Sequence, residues 1–211
     1  MKRPAGTVSR YTPGARANHW LNAIILILLA LSGMSLFHPA LFFLSDLFGG
    51  GVWARILHPW LGIALIFTFA GLFIRFCRYN IWERTDTQWL NRIRDVLAAR
   101  DENLPEVGRY NAGQKLVFWL MTIGILVLLA SGIVMWESQF GDVFSVEQKR
   151  IAAVFHATAA VVIIGVWIVH LYAAIWVKGT VRAMTRGTVT SGWAWKFHRK
   201  WLREEAAKGH K

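Results

Sequence analysis

Polar and apolar positions are not mixed evenly along this chain. Four long stretches carry almost no charge, and the charged residues crowd into the segments between them. The apolar stretches cover about residues 18–37 (NHWLNAIILILLALSGMSLF), 53–74, 114–136 and 151–177. Runs of about 18 or more such residues read as membrane-spanning helices. The pattern therefore predicts an all-α, integral membrane four-helix bundle forming a single domain over residues 1–211, with no low-complexity linker. LLALSG (28–33) and LLASG (128–132) echo one another, but the likeness is too short to define a repeat.

Two polar segments show amphipathic spacing. In TQWLNRIRDVL, a helix places Trp89, Leu90, Ile93 and Leu97 on one face and Arg92, Arg94 and Asp95 elsewhere. That predicts a helix lying in the membrane interface. In the tail, Trp193, Phe197 and Trp201 recur every four residues among Lys196, Arg199 and Lys200, which predicts the same, with tryptophan at headgroup depth. Packing of either face on a partner protein is the alternative.

Composition sharpens this picture. The 211 residues are 55% hydrophobic and 17% charged, with 24 Lys and Arg against 12 Asp and Glu. No nucleic-acid motif accompanies the basic excess, which points to an anionic membrane face. Of the 24 basic residues, 21 lie in the N-terminal arm (Lys2, Arg3, Arg10, Arg16), in the second loop with its helix ends, or in the tail from Lys178 onward. Only Arg55, Lys149 and Arg150 fall on the other side. The positive-inside rule makes both termini and the 78–113 loop cytoplasmic. The first apolar run is too long for a signal-peptide core and lacks a small-residue cleavage site after it. The lone Cys77 excludes an internal disulfide and a CxxCH haem attachment.

Ionisable groups inside a membrane are costly, which marks the histidines of the spans as functional candidates. His156 and His170 share the fourth span. Fourteen residues apart, they lie about 21 Å apart along a helix axis and only about 40° apart around it. His19 opens the first span at the depth of His170, and His58 begins the second at the depth of His156. Pro59, beside His58, is tolerable near a helix start. Two cross-helix pairs at two depths fit two non-covalent b-type haems with bis-histidine ligation. Interhelical hydrogen bonding is the simpler alternative for any one histidine. A zinc transporter would bring carboxylates into the spans. His38 reads as a loop residue, and His198 and His210 as solvated residues of the basic tail. Gly33, Gly62, Gly71, Gly132 and Gly165 read as helix-packing positions, some of which would make room for a porphyrin face.

GRYNAGQK (108–115) leads into the third span with Tyr110, Asn111 and Gln114 as hydrogen-bonding groups and Gly113 exposing backbone. From these residues alone, a helix cap with interface anchoring is favoured over a quinone slot.

The runs ARANHW, ARILHPWLGI, GRYNAGQKLVFW and HLYAAIWVKGTVRAM resemble the cytochrome b (gamma) subunit of membrane-bound respiratory formate dehydrogenase over essentially the whole chain. The broader family includes cytochrome b subunits of nickel–iron hydrogenases, the nearest alternative; a haem-free membrane anchor is another. The resemblance implies an inner haem b at His19 and His170 and an outer one at His58 and His156. It further implies a quinone (menaquinone or ubiquinone) site at Asn111, Gly113 and His170, beside which Gln114 is a weaker candidate. It also implies residence in a bacterial inner membrane and a role in anaerobic respiration. The implied partners are an iron–sulfur (beta) subunit and a molybdenum- or tungsten-containing catalytic (alpha) subunit. No formate-oxidising site and no cysteine set for a cluster is present in this chain.

Overall fold

The computed structural model describes residues 6–208, apart from the side chains of Asp101 and Lys208. Lys2, Arg3 and His210 lie outside the described residues. Ten α-helices follow in order: α1 (Pro13–Phe37), α2 (Gly51–Phe76), α3 (Arg84–Leu90), α4 (Ile93–Leu97), α5 (Ala112–Met135), α6 (Glu137–Phe140), α7 (Val146–Trp176), α8 (Thr180–Arg186), α9 (Ser191–Phe197) and α10 (Arg199–Lys208). Helices α1, α2, α5 and α7 are long and apolar enough to cross a membrane. Each starts two to five residues before its apolar run, and polar caps extend the first turn of α1, α5 and α7. The Thr12 hydroxyl accepts from Ala15 N–H at 3.3 Å, with Pro13 opening α1. Ser145 and Gln148 exchange side-chain and backbone hydrogen bonds of 2.8 and 3.2 Å ahead of α7. Because α2 begins at Gly51, Pro59 lies inside the helix, where it can give no N–H to the Arg55 carbonyl. This corrects its placement near the helix start.

The chain divides into two compact units. The apolar unit comprises residues 17–74 and 120–168, most of the four long helices. Ile25, Leu65 and Ile125, from three helices, form its buried centre with Leu29, Leu61 and Phe69 around them. Between α1 and α2 the segment Pro39–Phe48 winds as a 3₁₀ helix. His38 caps it, its Nδ1 accepting from Ala40 N–H at 3.2 Å. Gly49 and Gly50, at φ +88° and +98°, reverse the chain into α2.

The polar unit comprises the described parts of residues 6–16, 75–119 and 169–208. It contains an element absent from the all-α expectation, an antiparallel ribbon of β1 (Thr7–Ser9) and β2 (Thr188–Thr190) with Val8 opposite Val189. Its core gathers Ala183, Val189, Trp193, Ala194, Trp201 and Leu202. Trp193 and Trp201 therefore fill the centre of this unit, their rings packed against their own chain rather than left on an open face as the four-residue spacing suggested. The TQWLNRIRDVL segment is two short helices rather than one. Trp89 is buried with Val107 and Ala112, whereas Leu90, Ile93 and Leu97 are exposed.

Candidate functional site

In the apolar unit, His58 of α2 and His156 of α7 face each other, with ring centroids 6.1 Å apart and planes at 64°. Each ring is held in the same manner by a Ser–Gly pair on another helix. Ser32 Oγ of α1 lies 2.8 Å from His58 Nδ1, and Ser131 Oγ of α5 lies 3.0 Å from His156 Nδ1. The adjoining glycines let the rings lie close to the helix backbone. A Cβ at Gly33 would come 3.2 Å from His58 Cε1, and one at Gly132 would come 3.4 Å from His156 Cε1. Larger side chains at either position would push the imidazole out of place.

The serines decide which nitrogen of each ring is left over. A hydroxyl has one proton to donate. Ser32 lies 2.8 Å from the Leu28 carbonyl and Ser131 lies 2.6 Å from that of Val127, contacts that require the proton between the oxygens. Each Oγ is then an acceptor toward its histidine, so the imidazole proton sits on Nδ1 and the lone pair on Nε2. Neither Nε2 makes a hydrogen bond among the described residues. Two imidazoles this close, each engaged at Nδ1 with Nε2 left over, are a donor set for a metal. An ion bound by two imidazoles at about 2 Å each separates their centroids by about 6 Å, which the observed spacing fits. A bis-histidine haem suits this pair of ligands.

His19, on α1, belongs to the apolar unit; it is half-buried, and its ring meets Trp20 edge-on at 5.5 Å. Nearby on the same helix, Asn22 donates to Asn18 Oδ1 at 2.7 Å and accepts from Thr68 of α2 at 3.2 Å. Gly71 of α2 faces Asn18, and a Cβ there would come 2.7 Å from its Nδ2. His170, on α7, belongs to the polar unit and is exposed among the described residues.

Asn111 and Gln114 form a reciprocal capping box at the start of α5. Asn111 Oδ1 accepts from Gln114 N–H at 3.0 Å, and Gln114 Oε1 accepts from Asn111 N–H at 3.1 Å. Both side-chain oxygens are thus occupied, which leaves the two NH₂ groups as donors. Gly113 faces the Trp89 ring, which a Cβ would meet at 3.4 Å. A cavity of about 140 Å³ nearby is lined by Glu83, Asp86, Arg109, Tyr110, Lys115 and Trp201, among others. Beside it, Lys115 and Asp86 form an ion pair of 2.7 Å with side chains only 5% and 3% exposed. Burial raises Tyr110 well above the ordinary tyrosine range, with the neighbouring Tyr11 adding to the shift and Arg109 and Arg10 opposing it.

His198 is not solvated. It is 1% exposed, and its Nδ1 lies 2.8 Å from the Gly108 carbonyl. Burial first, and then the charge of Arg10, lower it to about 3. Arg10 itself is 4% exposed and donates to the Arg109 carbonyl at 2.6 Å, while Arg109 donates back to Arg10 O at 2.5 Å. The Arg10 guanidinium lies 4.5 Å from the Trp201 ring and 5.1 Å from that of Trp193. The run KFHRK hid this environment because Gly108 and Arg10, the partners of the His198 ring, stand 90 and 188 positions away in sequence. Ser32 and Ser131 had a signal in the LLALSG and LLASG echo; the short match ends on the two Ser–Gly pairs.

Known proteins bear on this geometry. The family of prokaryotic cytochromes b561 matches residues 10–187. The chain is 43% identical over 204 residues to the formate dehydrogenase cytochrome b556(fdo) subunit of Escherichia coli strain K12, covering 97% of this chain and 95% of that one. It is 40% identical over 189 residues to the nitrate-inducible formate dehydrogenase cytochrome b556(Fdn) subunit of the same strain, covering 90% and 87%. It is 35% identical over 198 residues to the formate dehydrogenase cytochrome b556 subunit of Haemophilus influenzae, covering 94% and 83%. With four apolar helices and end-to-end similarity of this order, the chain belongs to the prokaryotic cytochrome b561 family, with the cytochrome b556 subunits of formate dehydrogenase.

Proposed function

We propose that this membrane electron-transfer subunit, the cytochrome b subunit of a formate dehydrogenase, binds two haems b and delivers electrons to a quinone. His58 and His156 hold one haem through their Nε2 atoms. His19 and His170 hold the other, on the strength of their shared depth in the sequence pattern and of the family resemblance. When bound, haem supplies one-electron chemistry between its ferric and ferrous states. The chain would contribute the histidine ligands, an apolar surround and the polar groups at a quinone. Asn111 offers its NH₂ to a quinone carbonyl, Gln114 is a second donor of the same kind, Gly113 sits between them, and His170 lies along the same site. The excess of basic residues in the segments around these residues supports a position at the cytoplasmic face of a bacterial inner membrane, where water can supply the protons a quinol needs. Electrons come from an iron–sulfur (beta) subunit on the periplasmic side. That subunit is served by a catalytic (alpha) subunit with molybdenum or tungsten, so formate oxidation lies outside this chain. Menaquinone and ubiquinone both suit the donor set.

The observation that supports this reading is the matched pair of Ser-anchored histidines, with Nδ1 of each ring engaged by a serine and the ring centroids 6.1 Å apart. A reduced-minus-oxidised absorption spectrum with haem extraction tests it. Two b-type haems per chain are expected in the purified complex. A chain free of haem would overturn the reading and leave a membrane anchor.

A further inference from the structure

We propose that Ser32 and Ser131 are matched positioning residues for the two ligands of one haem, each fixing its histidine in the tautomer that presents Nε2 to iron and setting how strongly that nitrogen donates. This rests on the ligand reading of His58 and His156. Both serines are buried, at 0% and 6% exposure, so water does not substitute for the hydroxyl. The two contacts repeat in every part: a Ser–Gly pair, a hydroxyl donating to the carbonyl four residues back, an Oγ accepting at 2.8 or 3.0 Å, and a glycine against Cε1. One helix hairpin supplies Ser32 and His58, and α5 and α7 supply Ser131 and His156.

A hydrogen bond at Nδ1–H does two things to a ligating imidazole. It locks the ring about its axis, and it pushes electron density toward Nε2. Greater donation favours ferric over ferrous iron, so losing the bond raises the reduction potential of that haem. Because His58 and His156 would hold the same haem, the effects of the two serines fall on that haem and add. The haem held by His19 and His170 is untouched by either.

The test is a potentiometric titration of both haems in the assembled complex for Ser32→Ala, Ser131→Ala, the double variant, and Ser32→Thr and Ser131→Thr. A threonine hydroxyl can make the same bond to the carbonyl of the preceding turn. Each Ala variant should raise the midpoint of one haem, the same one in both cases, and the double variant should raise it further. The Thr variants should stay near the parent value. Unchanged midpoints in both Ala variants would sink the proposal, as would equal shifts in Ala and Thr, which would indict packing rather than the hydroxyl. Where an Ala variant loses the haem, recovery in Thr supports the proposal and failure to recover counts against it. The ligand reading fails separately, by retention of two haems in His58→Ala and His156→Ala.

Discussion

Two histidine environments in this molecule look alike by composition and differ in what they leave unused. His58 and His156 each give Nδ1 to a serine and keep Nε2 without a hydrogen bond among the described residues. His198 spends both nitrogens on its own unit, with Nδ1 on the Gly108 carbonyl at 2.8 Å and Nε2 3.5 Å from the Arg10 guanidinium. A histidine with a fixed tautomer and one open lone pair is prepared for a metal. One with both nitrogens engaged is a structural strut. Burial alone would point to the wrong residue, since His198 is the most deeply buried of the three. The unspent nitrogen separates the two cases.

The largest effect should come from removing an open nitrogen. His58→Ala or His156→Ala should drop haem content from two per chain to one and abolish electron delivery to quinone by the complex. His198→Ala should keep both haems. Haem extraction and reduced-minus-oxidised spectra read both outcomes, and loss of haem in His198→Ala would erase the distinction between the two environments.

The polar unit should respond to disruption in stability instead. Asp86 accepts from Lys115 Nζ and from Glu83 N–H, both at 2.7 Å. Asp86→Ala strands a buried ammonium, a change that typically costs about 3–5 kcal/mol. Thermal unfolding in detergent should fall accordingly, while the absorption of the haem at His58 and His156 survives in the folded protein. A melting temperature equal to the parent's would show that the pair is not structural.

His198 adds a pH dependence of known sign. Its folded value of about 3 lies below the 6.5 of an exposed histidine, so the unfolded chain binds the extra proton between those pH values. Stability should fall as pH drops from 6.5 toward 3, by at most about 1.4 kcal/mol per pH unit from this group. His198→Gln, which cannot titrate, should flatten that part of the curve. An identical slope in the variant would assign the acid sensitivity to other groups.

What the sequence revealed follows from the range of the forces involved. The four spans were legible because each is a local run whose length matches a bilayer. The helices begin two to five residues before those runs, and at α1, α5 and α7 the polar caps Thr12, Asn111 and Ser145 are side chains that hydropathy reads as loop. The nearness of the His58 and His156 rings agrees with the common depth expected from the alternation of span direction. The ribbon of Thr7–Ser9 with Thr188–Thr190 was not, because nothing local signals pairing across so much chain. The Trp193, Phe197 and Trp201 spacing gave a helical face correctly but could not say what it faces; the break at His198 and the arrival of Val8 and Tyr11 turn it into a core. The serines were visible as an echo too brief to weigh until their hydroxyls met the histidines.

The smallest effect distinguishes capping from quinone binding at Asn111. Its Oδ1 caps α5, and its NH₂ is the group that the proposed quinone site would use. Asn111→Asp keeps a cap oxygen for Gln114 N–H and removes the NH₂. Asn111→Leu removes both. Loss of an N-cap costs about 1 kcal/mol, so Asn111→Leu should lower thermal stability slightly and Asn111→Asp should not. Both should retain two haems that the donor reduces. In stopped-flow measurements on the assembled complex, both should also slow haem reoxidation by a quinone analogue, because neither can donate. Gly113→Val gives an independent check, since its side chain would press on Trp89 and on the capping amide that a Cβ already meets at 3.4–3.5 Å. If Asn111→Asp reoxidises at the parent rate while Asn111→Leu is only less stable, Asn111 is a helix cap alone, and the structural reading that holds for His198 holds here as well.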